Sequence, residues 1–398
     1  MNVLVLTAYP PVLAMHGGGV RMFHNIRILS TRHHVHVISF VGDDEERERL
    51  RSLSAIAASV TAVRRVPDFR PHWLSLKPFL AREFSTPEMS RVVMETIRSQ
   101  RIDVVQCEYL QMAQFRSRRL PSVLTAHETL ARNAYDAFRT SSEPAERLHR
   151  FYLWMQLLRY ETQQTRKFDR VITMTEEDAR YLRSYAPGAQ IRAIPIGVDT
   201  DEFSPLEEDP GQRLSALFVG NFRHFPNVAA VRFLVDRIAP IFPEIQFVIP
   251  GDHLPGDVKA PGNVVFPGYV QDTRVLYRRP NTIVVTPLFS GSGQRVKLLE
   301  AFSMGCPVIT TRLGAAGYPV VNGEQALFAE TPEEFASAIS KLASDTNLRR
   351  SMGSRGRRMA LGRFAWNGLA TQYLDVVEEA VAARRVSMKS RNGVSRHC

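Results

Sequence analysis

The chain has 398 residues, 44% hydrophobic and 23% charged, a balance that fits a soluble globular protein with room for two domains. No apolar run approaches the ~20 residues a bilayer span needs, and the apolar start at residues 1–8 lacks the basic flank expected of a secretory signal. Cys107, Cys306 and Cys398 show neither metal spacing nor a disulfide framework, and the net charge of +11 points to an anionic partner, although arginine is spread along the chain rather than gathered in a nucleic-acid-binding arm.

Residues 2–7 read as a buried strand. It leads through Tyr9, Pro10 and Pro11 to three contiguous glycines, Gly17, Gly18 and Gly19, and then to helical periodicity over 20–29. Contiguous glycines do not match the G-x-G-x-x-G dinucleotide pattern. Strands at 35–40, 60–66, 104–107, 123–126 and 170–174 alternate with helical stretches, which predicts a parallel sheet covered by helices. Ligands of such sheets bind beyond the carboxyl ends of the strands, where His127 and Glu128 fall. Residues 69–84 mix aromatics with cations but are broken by Pro71 and Pro78, and read either as an acceptor or membrane contact or as packing under a loop. Residues 147–159 read as a core-facing helix with a basic outer face.

Residues 187–213 are rich in proline, glycine and acids and read as a linker. A second βα series follows, with strands at 216–219, 245–249, 264–266, 283–285, 308–310 and 326–329. Two such series predict an α/β protein of two Rossmann-like domains facing each other across a cleft. Residues 348–358 read as a basic, solvated surface turn, with anion binding as the alternative, and 366–383 as a helix with Leu369, Tyr373, Val376, Val377 and Val381 on its apolar face. The expected division is a domain at 1–190 completed by a helix at 366–385, a linker at 191–213, a second domain at 214–365 and a disordered tail at 387–398.

The stretch SGSGQRVKLLEAFSMGCP at 290–307 lies between two strands of the second series. Gly291 and Gly293 let the backbone turn sharply and admit another molecule close to it. The helix predicted over 295–304 presents free N–H groups and the positive end of its dipole, which suits a phosphate. Arg295 and Lys297 add two cations in its first turn, and Lys297 shares a face with Glu300. Glu300 lies seven residues past Gly293, roughly 10 Å along the axis, about the offset between a diphosphate and its ribose. An ordinary βαβ unit with solvated charges has the same spacing, so this stretch alone leaves both readings open.

Three segments together resemble the retaining GT-B glycosyltransferases of family 4, over nearly the whole chain. IPIGVDTDEFSP at 194–205 looks like the family's inter-domain signature, LFVGNF at 217–222 resembles the first strand of its donor domain, and 291–307 resembles its nucleotide-sugar helix. The resemblance implies a nucleoside diphosphate sugar donor, of uridine or guanosine, with no separate cofactor. It implies a glycan, lipid-linked or small-molecule acceptor, no specific nucleic acid, and a cytoplasmic place with possible peripheral contact at an anionic membrane. It assigns Glu300 to the ribose hydroxyls, Gly18 and Gly19 to the donor phosphates and acceptor, and His127 to the transferred sugar, a core histidine being the other reading of His127. The chain departs from the pattern where Ser292 replaces the first glutamate of Glu-x7-Glu, and where Asn221 and Pro226 stand for the usual arginine and lysine. Arg295 and Lys297, with Arg223, are therefore expected to neutralise the diphosphate, while Gly291, Ser292, Gly293 and Gln294 meet the donor.

The implied reaction moves a hexose to an acceptor hydroxyl with retention. Retention through a covalent intermediate wants two carboxylates about 5 Å apart, and no convincing pair is evident. A front-face route is expected instead, in which the departing diphosphate takes the acceptor's proton and His127, Arg295 and Lys297 are the catalytic groups. No Asp-x-Asp motif argues for a metal, and Glu128 as nucleophile is the alternative. Rival classes are a nucleotide-sugar epimerase on the same fold, an inverting GT-B transferase with His16 as a candidate base, and a non-enzymatic basic binding protein.

Overall fold

The structure, a computed structural model, describes residues 1–13, 17–66, 77–205, 214–279, 281–291 and 293–394, with backbone alone at 17 and 386–394. The chain divides into two compact units, one made of Met1–Pro195 and Ala370–Cys398, the other of Ile196–Leu369.

The first unit is built on seven strands: β1 (Asn2–Thr7), β2 (His34–Val41), β3 (Ser59–Arg64), β4 (Val104–Glu108), β5 (Ser122–Ala126), β6 (Arg170–Thr173) and β7 (Ile191–Ala193). They run in the order β3-β2-β1-β4-β5-β6-β7, all parallel. Val3, Leu4, Val5 and Leu6 of β1 are wholly buried, as a strand covered on both faces requires. β7 lies inside the segment read as linker, because Ile191 adds an edge strand against β6.

The last helix, Trp366–Val394, closes this unit from Ala370 onward. Tyr373, Val376, Val377 and Ala380 are buried, at roughly 1.5–3 kcal/mol for each large apolar side chain. Glu379 pairs with Arg170 of β6 at 3.3 Å and Arg192 of β7 at 3.0 Å. These half-exposed ion pairs orient the helix more than they stabilise it. The backbone stays helical through Val394, across residues expected to be disordered.

The second unit carries six parallel strands: β8 (Ser215–Leu217), β9 (Gln246–Val248), β10 (Val264–Val265), β11 (Thr282–Thr286), β12 (Val308–Thr310) and β13 (Ala326–Phe328), in the order β10-β9-β8-β11-β12-β13. Phe218, Phe247, Phe302 and Phe335 fill its core.

Two other expectations change. Residues 348–358 are not a turn but the middle of the helix Thr346–Arg363. Its glycines are there for packing: a Cβ on Gly353 would stand 2.0 Å from Gly305 O, and one on Gly356 would meet Phe302 Cδ1 at 2.9 Å. The helix Pro144–Thr165 does not bury its first half, since Phe151, Tyr152 and Met155 are 41%, 43% and 44% exposed.

Candidate active site

In the second unit β8 and β11 are neighbours, so the loops that follow them share the carboxyl edge of the sheet. The loop after β11 turns at Gly291 and Gly293, whose φ angles of +98° and +78° lie in the left-handed region that favours glycine. Ser292 falls outside the described residues. Arg295 folds back on this loop, with Nη2 donating to Gly291 O at 2.8 Å and Nη1 to Gly293 O. These two bonds tie its guanidinium to the loop expected to meet the diphosphate. Gln294 is likewise a tie: its Oε1 accepts from Ile196 N at 2.8 Å and its Nε2 donates to Gly317 O at 2.8 Å.

Lys297 is a half-buried cation at this edge. It stands in the first turn of the helix Val296–Ser303, with Nζ donating to Asn227 Oδ1 at 2.8 Å and lying 4.4 Å from the centre of the Phe218 ring. Asn227 is held in turn by a bond from its Nδ2 to Asn221 O at 2.8 Å. Burial, with the charge of Arg295 second, brings the Lys297 ammonium down to about 7. One turn on, Glu300 Oε2 accepts from the Tyr277 hydroxyl at 3.1 Å. Burial pushes the Glu300 carboxyl up to about 7 against the opposing pull of Tyr277 and Lys297. Both residues are half-buried. Arg223, exposed after β8, pairs through Nη2 with His253 Nε2 at 2.7 Å and has no contact with Lys297 or Glu300 among the described residues.

The first unit gathers a second cluster at its own carboxyl edge, where Thr7, Glu108 and Thr125 lie side by side. His127 follows β5 and meets Glu108 with its Nε2 at 2.6 Å from Oε2. Glu108 is wholly buried, and its Oε1 accepts from Asn25 Nδ2 at 2.9 Å and Gln106 Nε2 at 2.6 Å. Burial alone would raise its pKa, but the bond and charge of His127, with Asn25 and the Arg21 guanidinium, hold it below the ordinary value. An ionised carboxylate only accepts, so the ring nitrogen that meets Glu108, Nε2, carries a proton. The ring stacks on Tyr109 with centroids 3.9 Å apart and planes 10° from parallel. Tyr109 has φ +75° and ψ 149°, a conformation that costs a side-chain-bearing residue on the order of 1–3 kcal/mol. Such strain accumulates where a function holds it.

Gly18 and Gly19 are in the first turn of the helix Gly17–Ser30 and not in a loop. That helix also carries Arg21 and Asn25 into the Glu108 cluster. His16 falls outside the described residues. Glu128 accepts from Asn133 Nδ2 at 3.0 Å, and burial raises its pKa, which opposes the ionised form a nucleophile needs. Glu108, Tyr109, Asn227 and Tyr277 are site residues absent from the sequence reading. Only Glu108 left a signal, as the one charged group in the buried strand VVQCE, where a carboxylate must find partners.

One family model, for family 4 glycosyltransferases, matches residues 15–202, and a second, for group 1 glycosyl transferases, matches residues 213–345. Most of the chain thus lies within two glycosyltransferase family models, family 4 in its first part and group 1 in its second. The chain is 26% identical over 261 residues to the D-inositol 3-phosphate glycosyltransferase of Nocardiopsis dassonvillei, across 58% of the chain and 60% of the relative. It is also 26% identical to the GDP-mannose-dependent alpha-(1-6)-phosphatidylinositol monomannoside mannosyltransferase of Mycobacterium tuberculosis, across 52% of the chain and 60% of that relative. The chain thus spans about 60% of the length of these relatives. Among solved structures, sucrose-phosphate synthase from Thermosynechococcus elongatus superposes with a TM-score of 0.72 at 18% identity, over 96% of the chain and 100% of that structure. Anabaena HepE in complex with UDP gives 0.71 at 15%, over 95% and 100%. At these identities the likeness is one of fold, and that fold is GT-B.

Proposed function

We propose that the chain transfers a hexose from a uridine or guanosine diphosphate sugar to an acceptor hydroxyl, with retention and without a metal. The observation that carries this reading is Lys297, fixed by Asn227 and Phe218 at the edge of β8, with Glu300 one turn behind it in the grip of Tyr277. That pair offers one cation for a diphosphate and one acceptor for ribose hydroxyls, about a helical turn apart. Gly291 and Gly293, kept in shape by Arg295, let the backbone approach the phosphates.

In the front-face step the bond from the anomeric carbon to the diphosphate oxygen breaks, and the acceptor oxygen bonds to the same face. The acceptor's proton passes to the departing diphosphate, whose charge Lys297 offsets. His127, steadied by Glu108 and Tyr109, orients the transferred sugar. The acceptor class is a glycan, a lipid-linked sugar or a small polyol. We place peripheral contact with an anionic membrane on the exposed face of Phe151, Tyr152 and Met155, beside Arg147 and Arg150. No helix among the described residues is long and apolar enough to cross a membrane.

The test is turnover of a panel of uridine and guanosine diphosphate hexoses in the presence of chelator, with the product's anomeric configuration read by NMR. Retention with at least one donor supports the reading, and no hydrolysis or transfer with any donor sinks it. A second reading has one observation in its favour. The buried Glu108 behind His127 is also how a general base is built, and an inverted product would assign His127 that role.

A further inference from the structure

The turn that carries His127 is held by two carboxylates from other helices. It runs through His127, Glu128 and Thr129, from the end of β5 at Ala126 to the helix Leu130–Thr140. Among the described residues that helix has no side-chain cap from its own N-cap residue, Thr129. Glu161, on the helix Pro144–Thr165 and 2% exposed, stands in for one. Its Oε1 accepts from Leu130 N at 3.0 Å and its Oε2 from Ala131 N at 3.2 Å. Thr129, a residue type that ordinarily caps its own helix, donates its hydroxyl to Asp178 Oδ1 at 2.7 Å. Asp178, on the helix Glu176–Tyr185, is fixed in turn by Thr175, whose hydroxyl donates to Oδ2 at 2.6 Å.

A buried carboxylate is a costly cap where a threonine already stands at the N-cap. What it adds is position. A cap from the adjoining residue travels with its own helix, whereas one from 30 residues further along ties the helix to a neighbour. Each N–H takes its own oxygen, so the seat needs a carboxylate. An amide has one oxygen and sets an NH2 against the second N–H.

We propose that Glu161 and, through Thr129, Asp178 are positioning residues for the transfer step: by holding the start of the helix Leu130–Thr140 they set where His127 stands. This rests on the reading of His127 as the group that orients the transferred sugar. Burial pushes the Glu161 carboxyl up to about 7, with the charges of Glu128 and Asp178 acting the same way and the two N–H bonds opposing. Tyr181, on the helix Glu176–Tyr185, also feels its charge. On the helix Leu130–Thr140, Arg132 is paired with Glu177 at 2.7 Å. The segment Leu110–Phe115, which also packs on the helix Pro144–Thr165, carries no charged residue. Because the folded value lies above the ordinary one, taking up this proton near pH 7 favours the fold, so a loss of activity through Glu161 there is not a loss of structure.

Glu161→Gln tests this at pH 8, with the donor found by the hexose panel at saturation. It is expected to lower kcat about tenfold with little change in donor KM and to shift the His127 ring resonance while the melting temperature holds. That resonance is read by NMR on histidine-labelled protein and assigned by its loss in His127→Gln. In the wild type kcat should fall on acidification through about pH 7 with no fall in melting temperature, and the variant should lack that step. A His127 resonance unmoved in Glu161→Gln overturns the proposal whatever the rates do. Should the resonance move while kcat holds, Glu161 places His127 but the role of His127 in transfer falls. If the wild type turns over no donor, the transferase reading falls and the resonance alone decides on Glu161. Should Glu161→Gln melt well below the wild type, Thr129→Val, which removes the tie to Asp178 and keeps the side chain's shape, takes its place and is held to the same shift in the His127 resonance and the same fall in kcat.

Discussion

Lys297 and Glu300 each sit near neutrality for the same reason, burial, acting on opposite charges. A diphosphate favours the ammonium and ribose hydroxyls favour the carboxylate. Donor affinity is therefore expected to peak near pH 7. Above it the free Lys297 loses its proton and binding must take one up. Below it Glu300 is neutral and binding must release one. Calorimetry in buffers of different ionisation enthalpy reads both, with Lys297→Met removing the alkaline limb and weakening affinity by about tenfold or more. Glu108→Gln is expected to lower kcat by about tenfold to a hundredfold with little change in KM, because the amide leaves His127 free to turn. A KM effect alone would mean that Glu108 merely packs. His127, Lys297 and Glu300 could be picked out as candidates because each sits at a fixed offset from a strand end or a glycine. Glu108 and Tyr277 were not, because their meaning lies in what they touch: His127 is 19 residues from Glu108, and Glu300 is 23 from Tyr277. Arg295 was legible as a cation but not as a clamp, since a first-turn position does not say which way a guanidinium folds.

The elements were legible in proportion to the strength of their repeat. β1, β4, β5, β11 and β12 are runs of β-branched and apolar residues between turn signals, and each lies where that pattern puts it. The helix Thr346–Arg363 was missed because its glycines carry the same letters as a turn while serving contact with the helix Val296–Ser303. Gly353→Ala separates these uses. In a turn it would be neutral, but here a Cβ at 2.0 Å from Gly305 O forces the two helices apart. The expected cost is about 1–3 kcal/mol, read as a fall in melting temperature of roughly 2–4 °C per kcal/mol for a domain of this size. Because Gly305 ends the donor helix, donor affinity should fall with it.

At the scale of the molecule, both sheets and the change of unit near Pro195 were legible from two βα series separated by a run of prolines and acids. The return to the first unit was expected as a helix at 366–385 completing that domain, and the chain changes unit at Ala370. Ending the chain at residue 369 strips Tyr373, Val376, Val377 and Ala380 from the first sheet. The shortened protein is expected to lose the first unit's cooperative transition and bind a hydrophobic dye, while residues 196–369 keep theirs. A single unshifted transition would contradict that division. The same return also bears on biosynthesis. A ribosome finishes the contiguous unit, Ile196–Leu369, before it makes Ala370, so the half of the chain that is translated first is the half that is completed last. For the whole time the second unit is being made, the seven-stranded sheet waits with one apolar flank unsealed, and it is there that a nascent-chain chaperone would be needed.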